Sequence, residues 1–143
     1  MAHRIDFESL FSLKGRIALI SGASSGLGKH FAQVLSGASA HVVVAARRAN
    51  KLTSLVQTLC DQGGMADAIT SDVTSRESVR KAFEAFDAQF SQLDILVNNA
   101  GIANPPLHFV DATEDDWGPV LDVNLTGAWR VAQEAARRMK QQR

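Results

Sequence analysis

The sequence has 143 residues, 45% of them hydrophobic and 21% charged, and its formal net charge is zero. That length suits a single domain, residues 1–143, and that composition excludes a disordered chain. Zero net charge removes the electrostatic motive for binding nucleic acid or an anionic membrane surface.

In chain order, Asp6 and Glu8 stand where a signal peptide needs an apolar run. No stretch approaches the ~20 apolar residues of a membrane span, so a cytoplasmic protein is expected. Arg16-Ile17-Ala18-Leu19-Ile20, bounded by glycines, reads as a buried strand. After a glycine loop, Leu27, Phe31, Val34 and Leu35 recur at i, i+4, i+7 and i+8, the stripe of an amphipathic helix. His41 to Ala45 is a second, β-branched strand. Leu52, Leu55, Val56 and Leu59 form a second helical stripe, ended by Gly63-Gly64. The lone Cys60 beside that stripe reads as a small buried hydrophobe, and no internal disulfide is possible.

Met65 to Ser71 is a weaker third strand. Ser75 then caps a helix with Val79, Phe83, Phe86 and Phe90 on one face. Asp94 to Asn98 is a fourth strand. Thr113 with Glu114, Asp115 and Asp116 marks a helix start, and Pro119 predicts a break before a longer helix from about Asp122. Arg137, Arg138, Lys140 and Arg143 suit the last turn of that helix. His3, His30, His41 and His108 are too scattered for a metal site, and none is expected. Strands alternating with helices imply an α/β, doubly wound parallel sheet of Rossmann-like type. It has about four strands, with helices on both faces and a ligand beyond the C-terminal strand ends.

The strongest chemical signal is Ser21-Gly22-Ala23-Ser24-Ser25-Gly26-Leu27-Gly28, at the first strand-to-helix junction. Gly22 suits a tight turn, Gly26 lets backbone approach a pyrophosphate, and Gly28 permits close helix–strand packing. The helix N-terminus offers unpaired N–H groups and a positive dipole end to the phosphates.

The Gly-x3-Gly-x-Gly spacing resembles the first motif of the short-chain dehydrogenase/reductase family, with Ser21 in place of that motif's threonine. The resemblance continues along the chain. Asp72-Val73 matches the family's adenine-contacting pair. Asn98-Asn99-Ala100-Gly101 matches the motif that supports the sheet and lines the cofactor pocket. Asn124, in Val123-Asn124-Leu125-Thr126-Gly127, matches the helical asparagine of the catalytic tetrad. The resemblance implies hydride transfer between a nicotinamide cofactor and a small carbonyl or alcohol substrate. It also implies a homo-oligomer, since the last helix commonly packs against a neighbouring subunit.

An NAD-binding fold of this kind places an acid about 20 residues past the glycine loop, for the ribose 2′-OH. Here His41 to Lys51 contains no acid: Ala46 holds that position, followed by Arg47 and Arg48. An arginine there pairs with a 2′-phosphate, so NADP is preferred and NAD is the alternative. The family's Tyr-x3-Lys pair and substrate-positioning serine have no counterpart, and the sequence contains no tyrosine. The expectation is therefore the cofactor-binding half of such an oxidoreductase; a non-catalytic dinucleotide-binding module or sensor is the alternative. Asn104-Pro105-Pro106-Leu107 is expected to border the substrate cleft. Ile95-Leu96-Val97, lacking a fifth strand beside it, is expected at an open sheet edge that favours association.

Overall fold

The computed structural model describes residues 10–105 and 108–142; His3, Asp6 and Glu8, Pro106 and Leu107, and Arg143 lie outside the described residues. Strands β1 (Ile17–Ser21), β2 (His41–Ala46), β3 (Met65–Thr70) and β4 (Ile95–Val97) form one sheet in the order β3-β2-β1-β4. Every pairing is parallel. Helices α1 (Gly26–Gly37), α2 (Ala49–Asp61) and α3 (Arg76–Asp87) follow the first three strands. After β4 come α4 (Glu114–Leu121), a π-helical turn (Asp122–Gly127) and α5 (Ala128–Gln141). The chain steps outward from β1 through β2 to β3, then returns to the other side of β1. Such a reversal leaves a crevice at the C-terminal strand ends.

The continuous apolar runs arise because the sheet is covered on both faces. Ala18, Ile20, Val42 and Val44 point to one core, shared with Leu52, Leu55 and Leu59. Leu19, Val43 and Ala45 point to the other, shared with Phe83, Phe86 and Val131. Each valine, leucine, isoleucine or phenylalanine side chain so buried stabilises the fold by roughly 1.5–3 kcal/mol. The centre of the sheet, β1 and β2, therefore anchors the structure. β4 is only half-buried and pairs with β1 alone among the described residues. No helix among the described residues is long and apolar enough to cross a membrane.

Four details differ from the sequence reading. β1 runs one residue later than expected, which brings Ser21 into the strand. On α1 the face against the sheet is Gly28, Ala32 and Leu35, while Leu27, Phe31 and Val34 are exposed. Small residues must face the sheet because α1 begins almost in contact with the end of β1. Cys60 is exposed, since Leu52, Leu55 and Leu59 centre the buried face of α2 and Cys60 has rotated past it. Pro119 sits inside α4 without breaking it: the chain stays helical through the π turn, where the Asp122 N–H reaches the carbonyls of Gly118 and Pro119. The expected caps are present. Ser75 accepts from the Ser78 N–H, and Thr113 forms a reciprocal capping box with Asp116.

Candidate functional site

Ser21, the last residue of β1, is the hub of the crevice. It is buried, and its Oγ accepts from the N–H groups of Asn99 (3.0 Å) and Ala100 (3.0 Å) and donates to Asn98 Oδ1 (3.2 Å). Asn99 returns the contact: its Nδ2 donates to the carbonyls of Ser21 (3.1 Å) and Gly22 (3.3 Å). Asn98 Nδ2 donates to the Ala128 carbonyl at 2.7 Å, which fixes the start of α5 against the end of β4. The two motifs, 77 to 79 residues apart, thus close into one unit.

Two glycines make that closure possible. A Cβ on Gly22, whose φ is +67°, would lie 2.6 Å from Ala100 Cα. A Cβ on Gly28 would lie 2.5 Å from Asn99 Nδ2 and closer still to the Gly22 carbonyl oxygen. Around Gly26, by contrast, the space is open. Ser25 holds the N-cap position of α1, yet its side chain makes no capping hydrogen bond. Its hydroxyl and that of Ser24 accept instead from Arg48 Nη2, at 3.1 and 2.9 Å. The first-turn N–H groups of α1 therefore remain available to an anion.

These residues line a cleft of about 510 Å³. One end holds Ser24, Ser25, Arg47, Arg48, Asp72 and Val73; the other holds Gly101, Ile102 and Val123, with Ser21, Gly22, Leu27, Asn99 and Ala100 between. Gly26 and Gly28 are not among the lining residues. Asp72 Oδ1 accepts from the N–H (3.0 Å) and hydroxyl (2.8 Å) of Thr74, an Asx turn at the end of β3. Burial favours the neutral form of Asp72, but the two Thr74 bonds and the charge of Arg47 outweigh it and hold its pKa below the ordinary aspartate value. Asp72 is thus an ionised acceptor at the cleft.

Asn124 sits in the π turn. Its Oδ1 accepts from the Ile102 N–H and its Nδ2 donates to the Ile102 carbonyl, both at 2.8 Å. Gly101 is close enough that a Cβ there would be 3.3 Å from Asn124 Oδ1. Asn124 therefore shapes the wall after β4 through backbone contacts. Asn104 donates to the Asp116 carbonyl at 2.8 Å, tying the same loop to α4. The sequence reading passed over Thr74, Ile102 and Arg130. Thr74, two residues after an aspartate, was findable as an Asx turn. Ile102 takes part only through its backbone, which no side-chain pattern reports.

A dinucleotide fits what is present: a tight glycine turn, an uncapped helix N-terminus, and open space at Gly26. An ionised carboxylate lies at one end and a backbone-lined wall at the other. Fold and site together define an α/β nucleotide-binding unit with its crevice at a switch in strand order. The family model described as short chain dehydrogenase matches residues 16–143, and the chain belongs to that family. A 3-oxoacyl-[acyl-carrier-protein] reductase of Aquifex aeolicus is 34% identical over 132 residues, 92% of this chain and 53% of the relative. A sorbose reductase of Schizosaccharomyces pombe is 35% identical over 136 residues, 94% of this chain and 53% of the relative. A crystal structure of gluconate 5-dehydrogenase from Burkholderia cenocepacia, in complex with NADP and tartrate, superimposes with a TM-score of 0.89. It is 37% identical and is matched over 96% of this chain and 53% of that one. The chain spans about half the length of the curated relatives it matches.

Proposed function

We propose that this chain is the cofactor-holding half of an oxidoreductase that moves a hydride between NADP(H) and a small carbonyl or alcohol substrate. One observation carries the cofactor choice. At the end of β2, Arg47 and Arg48 both line the cleft, and Ala46 stands where an acid would bind a free 2′-hydroxyl. Ser21, Gly22, Ser24, Ser25, Gly26, Leu27 and Gly28 would hold the pyrophosphate. Asp72 and Val73 would hold the adenine, and Asn99, Ala100 and Gly101 the nicotinamide end. When bound, the nicotinamide supplies or accepts the hydride. The chain's own residues bind and orient it, and Asn124 sets the wall beside it. The tyrosine that donates the proton in the family has no counterpart in this sequence. The NADP held by the Burkholderia relative supports this assignment.

A homo-oligomer belongs to the same proposal, supported by exposed Leu125 on the π turn and exposed Trp129 one turn further on α5, and a cytoplasmic location is proposed with it. The test is calorimetric titration with NADPH and NADH. An arginine–phosphate contact worth roughly 1.5–3 kcal/mol predicts an NADPH advantage of about tenfold to a hundredfold. The pair Ala46→Asp and Arg47→Ala should reverse it. Equal affinities in the unsubstituted chain would overturn the cofactor choice.

A further inference from the structure

Arg130, on α5, is mostly buried and reaches out of its own helix. Its Nη1 lies 3.1 Å from the Val73 carbonyl and 2.8 Å from the Thr74 carbonyl, both in the loop that ends β3. The same nitrogen lies 3.0 Å from Asp122 Oδ1, on the first residue of the π turn. Two N–H bonds of one nitrogen are thereby shared among three acceptors, while the Nε is buried with no acceptor among the described residues. An unsatisfied donor is unfavourable, so the side chain is held here by its three contacts and not by an optimal fit around the whole guanidinium. Packing reinforces the link: a Cβ on Gly127, the last residue of the π turn, would lie 2.8 Å from Val73 Cγ2. Val73 lines one end of the cleft. The turn bearing Asp122 and Gly127 also bears Asn124, whose amide holds Ile102 at the other end.

We propose that Arg130 is a positioning residue that ties the Val73–Thr74 loop, whose Val73 lines the cleft, to the turn carrying Asn124, so that one guanidinium sets both ends. The structural link stands on these contacts alone; its meaning for adenine and nicotinamide placement rests on the function proposed above. Arginine suits the task because a planar, permanently charged donor can serve two carbonyls and a carboxylate together.

Amide hydrogen exchange on the whole chain, without ligand, tests the link directly. The probes are the Thr74 and Ser75 N–H groups, which bond to Asp72, and the Ile102 N–H, which bonds to Asn124. In Arg130→Met all three should exchange about tenfold faster or more, while core amides of Leu19 and Val43 stay within about twofold, because local opening is separable from global unfolding. Arg130→Lys, which keeps donors for the carbonyls, should recover most of the protection at Thr74 and Ser75. Uniform acceleration across the chain, or no change at Ile102, would overturn the proposal. Should Arg130→Met fail to fold, Asp122→Ala decides: it should release Ile102 and leave Thr74 and Ser75 protected, and release of neither overturns the link. A second arm adds 2′,5′-ADP, which lacks the nicotinamide. In the parent chain it should slow exchange at Ile102 as well as at Thr74, and in Arg130→Met at Thr74 only. Absence of 2′,5′-ADP binding by the parent would count against the cofactor reading and leave the ligand-free result to judge Arg130.

Discussion

Replacing Ser21 by alanine removes one oxygen that serves three partners at once. Two of them, the Asn99 and Ala100 N–H groups, are half-buried and have no other acceptor among the described residues. A buried donor stripped of its partner costs about 1–3 kcal/mol, and partial exposure puts each of these near the lower end. The third partner, Asn98, is exposed and can turn to water, so it adds little. The sum is a loss of about 2–3 kcal/mol. For a domain of this size each kcal/mol lowers the melting temperature by roughly 2–4 °C, so Ser21→Ala should melt about 4–12 °C below the parent. Urea unfolding followed by circular dichroism gives the free energy, and an unchanged m value shows that the unfolded state is not the cause. Ser21→Thr keeps the hydroxyl and should lie within about 1 kcal/mol of the parent. The Asn99 and Ala100 amides should lose exchange protection in Ser21→Ala alone. A Ser21→Ala chain within about 0.5 kcal/mol of the parent would refute the hub, because water would then replace the hydroxyl at no cost.

Other outcomes follow from single contacts. Ser39 holds φ at +72° after α1, and Ser39→Gly should raise stability by about 0.5–1 kcal/mol in the same urea assay. Gly28→Ala should cost about 3 kcal/mol or more, because its Cβ meets the Gly22 carbonyl and Asn99. Gly37→Ala, with open space around it, should be neutral or gain up to about 1 kcal/mol. Burial raises the proton affinity of Asp94, but the Ile17 N–H, Arg16 and Gln92 outweigh it and lower its pKa from 3.8. With the folded value depressed, its contribution is complete above the unfolded pKa and lost as pH falls through the folded one. Asp94→Asn should therefore cost about 1–2 kcal/mol at neutral pH and flatten the acid side of the stability profile below 3.8, measured as urea midpoint against pH. Light scattering should return particles heavier than 15.4 kDa, and Leu125→Ser with Trp129→Ser should shift them toward that mass.

The alternation of strands and helices and the glycine turn were legible because they rest on local rules; the spatial order β3-β2-β1-β4 was not, because long-range pairing sets it. An apolar run between glycines marked β1, a continuous β-branched run marked β2, and the glycine spacing marked the turn. The face of α1 was misread for a definite reason. Counting apolar residues selected Leu27, Phe31 and Val34, whereas close approach to Gly22 required Gly28 and Ala32 at the sheet. The small-residue series Gly28, Ala32 was visible, but only a known helix–strand distance would have made it outweigh the larger side chains. Cys60 was misjudged by one position on a helical wheel. Pro119 signalled a break because a proline removes a donor, yet the chain stays helical through it and into the π turn. Arg130 was out of reach, since its acceptors Val73 and Thr74 lie 57 and 56 residues earlier and take part through carbonyls.

The interlock of Gly22, Gly28 and Asn99 also orders events in time. The glycine turn leaves β1 early in the chain, but the side chain that pins it, Asn99, comes 78 residues after Ser21. Until β4 docks beside β1, the turn lacks its amide partner and the start of α1 lacks the surface against which Gly28 packs. Closing so long a loop costs entropy before any contact returns it. The core between β1, β2 and α2 can therefore form while the crevice is still soft, and the crevice hardens when Asn99 arrives. During synthesis this leaves a window in which the glycine turn and the start of α1 lack their partner from β4, the interval in which a nascent chain of this kind is most open to misassembly.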